Sequence, residues 1–217
     1  MKLYLATNNA HKKREMQKIF VSHTIVTPSD AGLAFEVAET GTSFFENAMI
    51  KAKALYELVR EPVLADDSGI CVSLLDGRPG IFSARYGGKN FPRGNPKKKL
   101  SQDEQNRALI DELNEAILNA SGDFDKRNFP NGKRSAHYVC ALVLFCGGDR
   151  FFVSEETMEG SIVERIEDAR GSGGFGYDPI FLLPDLHKTA AELSEDEKNA
   201  ISHRGKASAV MKRIMGE

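Results

Sequence analysis

The sequence reads Tyr138-Val139-Cys140-Ala141-Leu142-Val143-Leu144-Phe145, and a second apolar run, Phe151-Phe152-Val153, follows after a short break. Short runs rich in β-branched and aromatic residues predict buried strands. The two runs are close enough along the chain to pair antiparallel. We therefore expect at least part of the sheet to be antiparallel.

Elsewhere, predicted strands alternate with predicted helices. Further apolar runs of strand length occur at Leu3 to Ala6, Val63 to Ala65 and Ile180 to Leu183. This alternation predicts an α/β fold with a mixed sheet. The apolar stripes at helical spacing are Met16, Ile19 and Phe20; Ala48, Ala52, Leu55 and Val59; Leu109, Leu113, Ile117 and Ala120; and Ala207, Val210, Met211 and Ile214.

Two predicted helix starts carry a capping box, in which a serine is followed three residues later by a glutamate. The pairs are Ser101 with Glu104 and Ser194 with Glu197. By contrast, Gly87 to Lys99 and Ser121 to Ser135 combine glycine, proline and scattered charge, which predicts two surface loops.

Composition limits the classes of function. The 217 residues are 41% hydrophobic, enough for one large domain or two small lobes with a sizeable core. The 29 basic and 31 acidic residues leave a net charge of −2, so no overall field favours nucleic acid or an anionic membrane. Any anion site must therefore be local.

The three cysteines, Cys71, Cys140 and Cys146, form no CxxC pair and lie next to apolar residues. This usage is typical of reduced core thiols and fits a cytoplasmic location. No apolar stretch has the length of a signal peptide or of a membrane span. We therefore expect a cytoplasmic protein with no membrane partner.

The first of five polar constellations is Thr7-Asn8-Asn9-Ala10-His11-Lys12, which follows a predicted strand and opens the first helix. A helix N-terminus offers unpaired backbone N–H groups and a positive dipole end, so phosphate fits there, and Lys12 adds a full charge. The alternative is an asparagine N-cap beside an exposed lysine, because the glycine-rich phosphate loop is absent.

The second constellation is Gly41-Thr42-Ser43-Phe44-Phe45-Glu46-Asn47-Ala48, which leads into a helix containing Lys51. Glu46 and Asn47 lie near the positive end of that helix, and Asn47 and Lys51 share one face. A carboxylate, an amide and an ammonium suit a metal-bound phosphate. The alternative is an ordinary helix start with an acid in its first turn.

The third constellation is Ala65-Asp66-Asp67-Ser68-Gly69, which we expect at the end of the predicted strand Val63 to Ala65. Adjacent carboxylates there would repel each other without a cation, whereas Mg²⁺ binds one or two carboxylates plus phosphate oxygens. Ligands usually bind at strand ends of α/β sheets, which favours a metal site over an acidic turn.

Two further constellations lie toward the C-terminus. Gly171-Ser172-Gly173-Gly174-Phe175-Gly176-Tyr177-Asp178-Pro179 combines glycines that permit close backbone approach with aromatics that can stack on a base. The alternative is a turn whose aromatics fill the core. Lys198-Asn199-Ala200-Ile201-Ser202-His203-Arg204-Gly205-Lys206 suits recognition of phosphate or of a base carbonyl, or else is a basic helix cap.

These constellations, in this order, closely resemble the inosine triphosphate pyrophosphatase family over nearly the whole chain. The ordered set is far more specific than any single motif. The matching residues are Thr7-Asn8-Asn9 with Lys12, Gly41 to Ala48 with Lys51, Ala65-Asp66-Asp67-Ser68-Gly69, Pro79-Gly80-Ile81-Phe82-Ser83-Ala84-Arg85-Tyr86, Gly174-Phe175-Gly176-Tyr177-Asp178-Pro179-Ile180-Phe181 and Ser202-His203-Arg204-Gly205-Lys206-Ala207.

The resemblance implies one α/β domain over residues 1–217, with two lobes around a long mixed sheet and a nucleotide-binding groove between them. It also implies a Mg²⁺-dependent homodimer that hydrolyses inosine, deoxyinosine and xanthosine triphosphates to the monophosphate and pyrophosphate. By position, Asp67 would be the base that activates water, and Glu46 and Asp67 the metal-site carboxylates. The implied substrate-binding residues are Thr7, Asn8, Asn9, Ala10, His11, Lys12, Lys51, Ser68, Phe175, Gly176, Tyr177, Asp178, Lys198, His203 and Arg204.

Within that set, Lys12 and Lys51 would hold the triphosphate, Phe175 would stack on the base, and His203 and Arg204 would select a 6-keto purine. Donors aimed at a 6-keto oxygen would meet the amino group of adenine and be left unpaired. A site built on hydrogen bonds can reject a wrong partner by roughly 10⁴-fold. Guanine also carries a 6-keto group, so another feature must exclude it.

The rival functions fall into two classes. An enzyme for modified pyrimidine nucleotides would share Glu46 and Asp67 but lack the His203 and Arg204 base contacts. A nucleotide-binding module without catalysis, or an RNA-binding protein, belongs to another class. Asp66 and Asp67 would repel polyphosphate unless a metal intervenes, which argues against a pure binding site, and the near-neutral net charge argues against RNA.

Overall fold

The computed structural model describes residues 2–88, 100–121, 125 and 127–217. Most of the loop predicted at Gly87 to Lys99, and part of that at Ser121 to Ser135, lies outside these residues. Within them the chain forms seven strands and five α-helices. In chain order these are β1 (Lys2–Leu5), α1 (Ala10–Ile19), β2 (Thr24–Val26), α2 (Phe44–Val59), β3 (Val63–Val72), α3 (Gln102–Asn119), β4 (Ser135–Phe145), β5 (Phe151–Ile162), β6 (Phe181–Leu183), β7 (Lys188–Thr189), α4 (Glu195–Ile201) and α5 (His203–Ile214).

The strand order in the sheet is β2-β1-β3-β4-β5-β6-β7. Strand β1 pairs parallel with β2 and with β3, with Leu5 opposite Leu64 in the second pair. Strand β6 pairs antiparallel with β5 and with β7, with Ile162 opposite Phe181 in the first pair. The predicted α/β fold with a mixed sheet is therefore confirmed.

The predicted helices are present, and their capping explains where they begin. Ser101 and Glu104 form a reciprocal capping box at the start of α3. Ser194 and Glu197 make the same two contacts at the start of α4. Both boxes satisfy backbone N–H groups that would otherwise lack a partner.

The prediction that Ala65-Asp66-Asp67-Ser68-Gly69 follows the end of a strand is wrong. Strand β3 continues to Val72, so the acidic pair lies inside the sheet. Charged residues can lie in a buried strand when charges of opposite sign surround them, as is the case for Asp66 and Asp67.

Strands β2 and β7 were not predicted, because three and two residues are too few to show a period.

Strand alternation separates the core around β3 into two clusters. Leu64 packs with Met16 of α1 and with Ala207 and Met211 of α5. Val63 and Ala65 pack instead with the small residues of α2, including Ala48 and Ala52. Successive side chains of β3 therefore face different helices, as the two-residue period of a strand requires.

The chain divides into two compact units. The first unit comprises Met1–Ser68, Val139–Thr157 and Asn199–Glu217, and the second comprises Gly69–Tyr138 and Met158–Lys198. Helices α1, α2 and α5 belong to the first unit, and α3, β6 and β7 to the second. No helix in the described part of the chain is long and apolar enough to cross a membrane.

Candidate functional site

The centre of the first unit contains a buried cluster of charges around β3. Asp66 is 2% exposed and forms an ion pair with Lys12 of α1. Its Oδ2 atom accepts hydrogen bonds from Arg204 Nε at 3.0 Å and from Cys140 Sγ at 3.4 Å. Burial alone would raise the pKa of Asp66, but the positive charges of Arg204, Lys12 and Lys51 outweigh it and hold that pKa far below its usual range.

Asp67 lies on the other side of the strand, toward α2. Its Oδ1 atom accepts a hydrogen bond from Lys51 Nζ at 2.6 Å, and its Oδ2 atom accepts one from Asn47 Nδ2 at 3.4 Å. Burial raises the pKa of Asp67, and the charges of Lys51 and Lys12 offset this only in part. Asp67 is therefore a stronger base than an exposed aspartate.

Lys51 is shared between two carboxylates. Its Nζ atom lies 2.6 Å from Asp67 Oδ1 and 2.9 Å from Glu39 Oε1. Burial would lower the pKa of Lys51, but the negative charges of Asp67, Glu39 and Asp66 raise it above its usual value. The space between Glu39 and Asp67 therefore stabilises a positive charge.

Glu46 is engaged elsewhere. Its side chain is exposed, and Oε2 accepts hydrogen bonds from the backbone N–H of Thr42 at 2.6 Å and from the Thr42 hydroxyl at 2.9 Å. The N-cap Ser43 accepts in turn from the Glu46 N–H at 3.1 Å. The Glu46 carboxylate thus belongs to the N-terminal cap of α2. The glutamate that lies beside Lys51 and Asp67 is Glu39.

Arg204 is the second residue of α5 and is 2% exposed. Its guanidinium donates from Nε to Asp66, from Nη2 to Ser68 Oγ at 2.8 Å, and from Nη1 to Glu15 of α1. Burial disfavours the charged form, but Asp66 and Glu15 raise the pKa of Arg204 above its usual value. The neighbouring His203 is also buried, at 5% exposure.

The start of α1 is ordered by its own asparagine. Asn9 accepts hydrogen bonds from the N–H groups of His11 and Lys12, at 2.9 and 3.3 Å, and its own N–H donates to Thr7 Oγ1 at 3.1 Å. Asn8 donates to the carbonyl oxygen of Phe35 at 2.8 Å. Asn8, Asn9, Ala10 and His11 are exposed. The asparagine cap raised as the alternative is thus present, and Lys12 still reaches into the cluster.

A separate group of predicted residues lies in the second unit. Asp178, 2% exposed, accepts hydrogen bonds at Oδ2 from the Phe175 N–H and from Lys198 Nζ, both at 2.7 Å. The Lys198 ammonium lies 5.4 Å from the centre of the Phe175 ring, in reach of a cation–π contact. Gly174 has a φ of +70°, and a Cβ there would lie 2.1 Å from Asp178 Oδ2.

Tyr177 and Gly176 complete that loop. The Tyr177 hydroxyl donates to the Ser83 carbonyl oxygen at 2.9 Å, and its ring is buried, which raises its pKa. Gly176 has a φ of +69°. The structure thus brings Phe175, Asp178 and Lys198 together, while Tyr177 anchors the loop to the segment that contains Ser83.

Two acidic residues of the first cluster, Glu15 and Glu39, had no predicted role, and Asp66 was predicted as one of a metal-binding acidic pair rather than as the partner of Lys12 and Arg204. Glu15 lies three residues after Lys12, so helical spacing signalled a shared face. Asp66 belongs to the Ala65-Asp66-Asp67-Ser68-Gly69 motif, but the contact of Asp66 with Arg204 spans 138 positions of sequence. Glu39 precedes α2 and lies 12 positions from Lys51, so helical spacing did not link the two residues.

Comparison with known proteins matches residues 3–214 to the model of the Ham1 family. A dITP/XTP pyrophosphatase of Treponema denticola is 47% identical over 207 residues, which covers 95% of this chain and 94% of that protein. A dITP/XTP pyrophosphatase of Nitrosomonas europaea is 42% identical over 220 residues, covering 100% and 95% of the two chains.

This chain is also similar to solved structures of Ham1 proteins. The Ham1 protein of Staphylococcus aureus is 33% identical, with a TM-score of 0.77 over 100% of this chain and 98% of its own. A HAM1 protein of Coxiella burnetii gives a TM-score of 0.79 at the same identity and coverage.

Proposed function

This chain belongs to the Ham1 family, and from that premise we propose that it hydrolyses non-standard purine nucleoside triphosphates to the monophosphate and pyrophosphate. The substrates are deoxyinosine, inosine and xanthosine triphosphates, which the reaction removes from the nucleotide pool. The observation that carries the proposal is Asp67: a buried carboxylate of raised pKa, held by Lys51 in a cluster that also contains Lys12.

The donor set fits a divalent cation. The cluster contains three cationic side chains, Lys12, Lys51 and Arg204, and four carboxylates, Glu15, Glu39, Asp66 and Asp67. When all seven are ionised, the cluster carries one net negative charge. A triphosphate would be repelled unless a cation enters. The space between Glu39 and Asp67 already holds the Lys51 ammonium. Two carboxylates plus phosphate oxygens are the ligands that Mg²⁺ prefers.

Among the described residues, no three His, Cys, Asp or Glu side chains are grouped as a ready-made metal site. Mg²⁺ would therefore bind together with the substrate, through Asp67 and a glutamate. The sequence motif favours Glu46 for that glutamate, whereas the contacts favour Glu39. When bound, Mg²⁺ neutralises phosphate oxygens and lowers the pKa of a coordinated water.

The side chains of the cluster have different roles in the reaction. Asp67 accepts a proton from the attacking water, and its raised pKa makes it a more effective base. Lys12 and Lys51 neutralise charge on the phosphate groups and hold the triphosphate in line. Hydrolysis then needs a positioned water and charge neutralisation rather than a covalent intermediate.

The base is read by other residues. Phe175 stacks on the purine, and Asp178 and Lys198 complete the nucleotide pocket. His203 and Arg204 discriminate a 6-keto from a 6-amino purine, since a donor that meets another donor is left unpaired. We further propose a cytoplasmic homodimer that binds neither nucleic acid nor membranes.

Product analysis tests the proposal. The protein is incubated with inosine, xanthosine, adenosine and guanosine triphosphates, with Mg²⁺ or with chelator, and the products are separated by chromatography. We expect monophosphate and pyrophosphate from the first two only, and only with Mg²⁺. Diphosphate with orthophosphate would indicate another phosphohydrolase. No product from any of the four would favour a modified-pyrimidine enzyme or a binding module.

A further inference from the structure

Asp66 joins two helices to the central strand. Both of its oxygens are engaged, Oδ1 by the Lys12 ammonium and Oδ2 by Arg204 Nε and Cys140 Sγ. Lys12 comes from the first turn of α1 and Arg204 from the first turn of α5. The Asp66 carboxylate therefore holds both Lys12, which we propose binds phosphate, and Arg204, which we propose contacts the base.

The same geometry separates Asp66 from its neighbour. The Oδ1 atom of Asp66 has no appreciable solvent-accessible surface, so a catalytic water cannot approach it. Asp67 instead faces α2, where Lys51 and Asn47 hold it. Although the two residues are adjacent and chemically identical, their surroundings give them different tasks.

We propose that Asp66 is a positioning residue that holds the Lys12 ammonium and the Arg204 guanidinium in place, and that it supplies neither a metal ligand nor the catalytic base. Glu15 of α1 positions only the guanidinium, because its carboxylate accepts a hydrogen bond from Arg204 Nη1. This inference rests on the proposed function, in which Lys12 binds phosphate and Arg204 reads the base.

The two carboxylates should therefore give different kinetic signatures. Asp66→Asn removes the hold on both cations, so it weakens triphosphate binding and also lowers the preference for inosine over adenosine triphosphate. Glu15→Gln loosens Arg204 but leaves the Lys12–Asp66 ion pair in place, so it lowers the preference alone. If Asp66 and Glu15 were merely structural, both variants would alter triphosphate binding and purine preference together, in proportion to the loss of stability.

The experiment measures KM and kcat for inosine and adenosine triphosphates, and the Kd of inorganic tripolyphosphate at fixed Mg²⁺ by calorimetry. For Asp66→Asn we expect KM and Kd to rise about tenfold, the purine preference to fall about tenfold, and kcat to change less than about threefold. For Glu15→Gln we expect the preference to fall by about threefold or more, with Kd within about twofold of the wild type.

A double-mutant cycle keeps the test decisive if unpaired cations destabilise Asp66→Asn. Lys12→Met removes the cation that Asp66 holds, so adding Asp66→Asn to Lys12→Met should leave the Kd of tripolyphosphate within about twofold. Additive losses would overturn the proposal. So would loss of turnover at unchanged KM in Asp66→Asn, or a shift in the Mg²⁺ concentration that gives half-maximal activity.

The outcome is independent of the proposed function as a whole. If the wild type hydrolyses no nucleoside triphosphate, the proposed function fails, but the tripolyphosphate cycle still reports whether Asp66 acts through Lys12. If the wild type is active and the cycle is additive, only the role of Asp66 fails.

Discussion

Asp66 and Asp67 are consecutive residues of β3, yet their carboxylates face different helices and bind different cations. Asp66 faces α1 and α5 and meets Lys12 and Arg204, whereas Asp67 faces α2 and meets Lys51. The alternation of side chains along a strand produces this division. In the structure, buried cations hold the pKa of Asp66 low, whereas burial raises the pKa of Asp67.

Replacing Asp67 by asparagine should abolish turnover while preserving the fold. The amide keeps the shape of the carboxylate but cannot accept the proton of the attacking water, so kcat should fall by about 10²- to 10⁴-fold. Steady-state kinetics on inosine triphosphate, with circular dichroism as the check of folding, measures this. Asp185→Asn, the same change at an exposed carboxylate, is the control. Near wild-type turnover would remove Asp67 from the mechanism.

Glu39 and Glu46 compete for the role of the second metal carboxylate. Because Glu39 shares Lys51 with Asp67, Glu39→Gln should raise the Mg²⁺ concentration for half-maximal activity by about tenfold or more. Glu46→Gln removes only the charge of a carboxylate that accepts from Thr42 and should have a much smaller effect. A titration of activity against Mg²⁺ for the two variants decides between them. The opposite ranking would restore Glu46, the residue that the sequence motif favours.

Gly174 and Gly176 form a matched pair for testing the nucleotide loop. Both have a φ near +70°, so alanine causes similar backbone strain, about 1–2 kcal/mol, at either position. Only at Gly174 would the new Cβ collide with Asp178 Oδ2, at 2.1 Å, whereas no atom lies within 4 Å at Gly176. Gly174→Ala should therefore raise KM for the nucleotide well beyond Gly176→Ala. Equal KM values would show that the Asp178 contact with Phe175 and Lys198 is not needed for binding.

Asp30 should make the stability of the first unit depend on acid pH. Hydrogen bonds from Lys13 and from the backbone and hydroxyl of Thr27 lower the pKa of Asp30 to about 2. An aspartate in the unfolded chain has a pKa of about 4. The contribution of Asp30 is thus fully present above about pH 4 and is lost as the pH falls through about 2.

Urea unfolding of the wild type and of Asp30→Asn at a series of pH values measures this contribution. The difference between their free energies of unfolding should shrink steadily below about pH 4. A difference that stays constant down to pH 2 would show that the Asp30 contacts do not favour the ionised form.

Much of the fold could be predicted because its signals are local. The stripe of Ala48, Ala52 and Leu55 predicted α2, and the serine–glutamate spacing at Ser101 located the start of α3. The length of β3 could not be predicted, because Asp66 and Asp67 break the apolar run that marks a strand. Their burial depends on cations supplied by α1, α2 and α5, which local periodicity does not record.

The sequence by itself determined the order of the helices and of every strand except β2 and β7, the ordered motifs of the family and the candidacy of Asp67, Lys12 and Lys51. Only the tertiary structure decided which charges meet. It placed Glu39 rather than Glu46 beside Lys51, and it joined Arg204 to Asp66 across 138 positions. The physical reason is that periodicity and capping depend on near neighbours in the chain, whereas the energy of a buried charge depends on whichever side chains packing brings within a few ångströms.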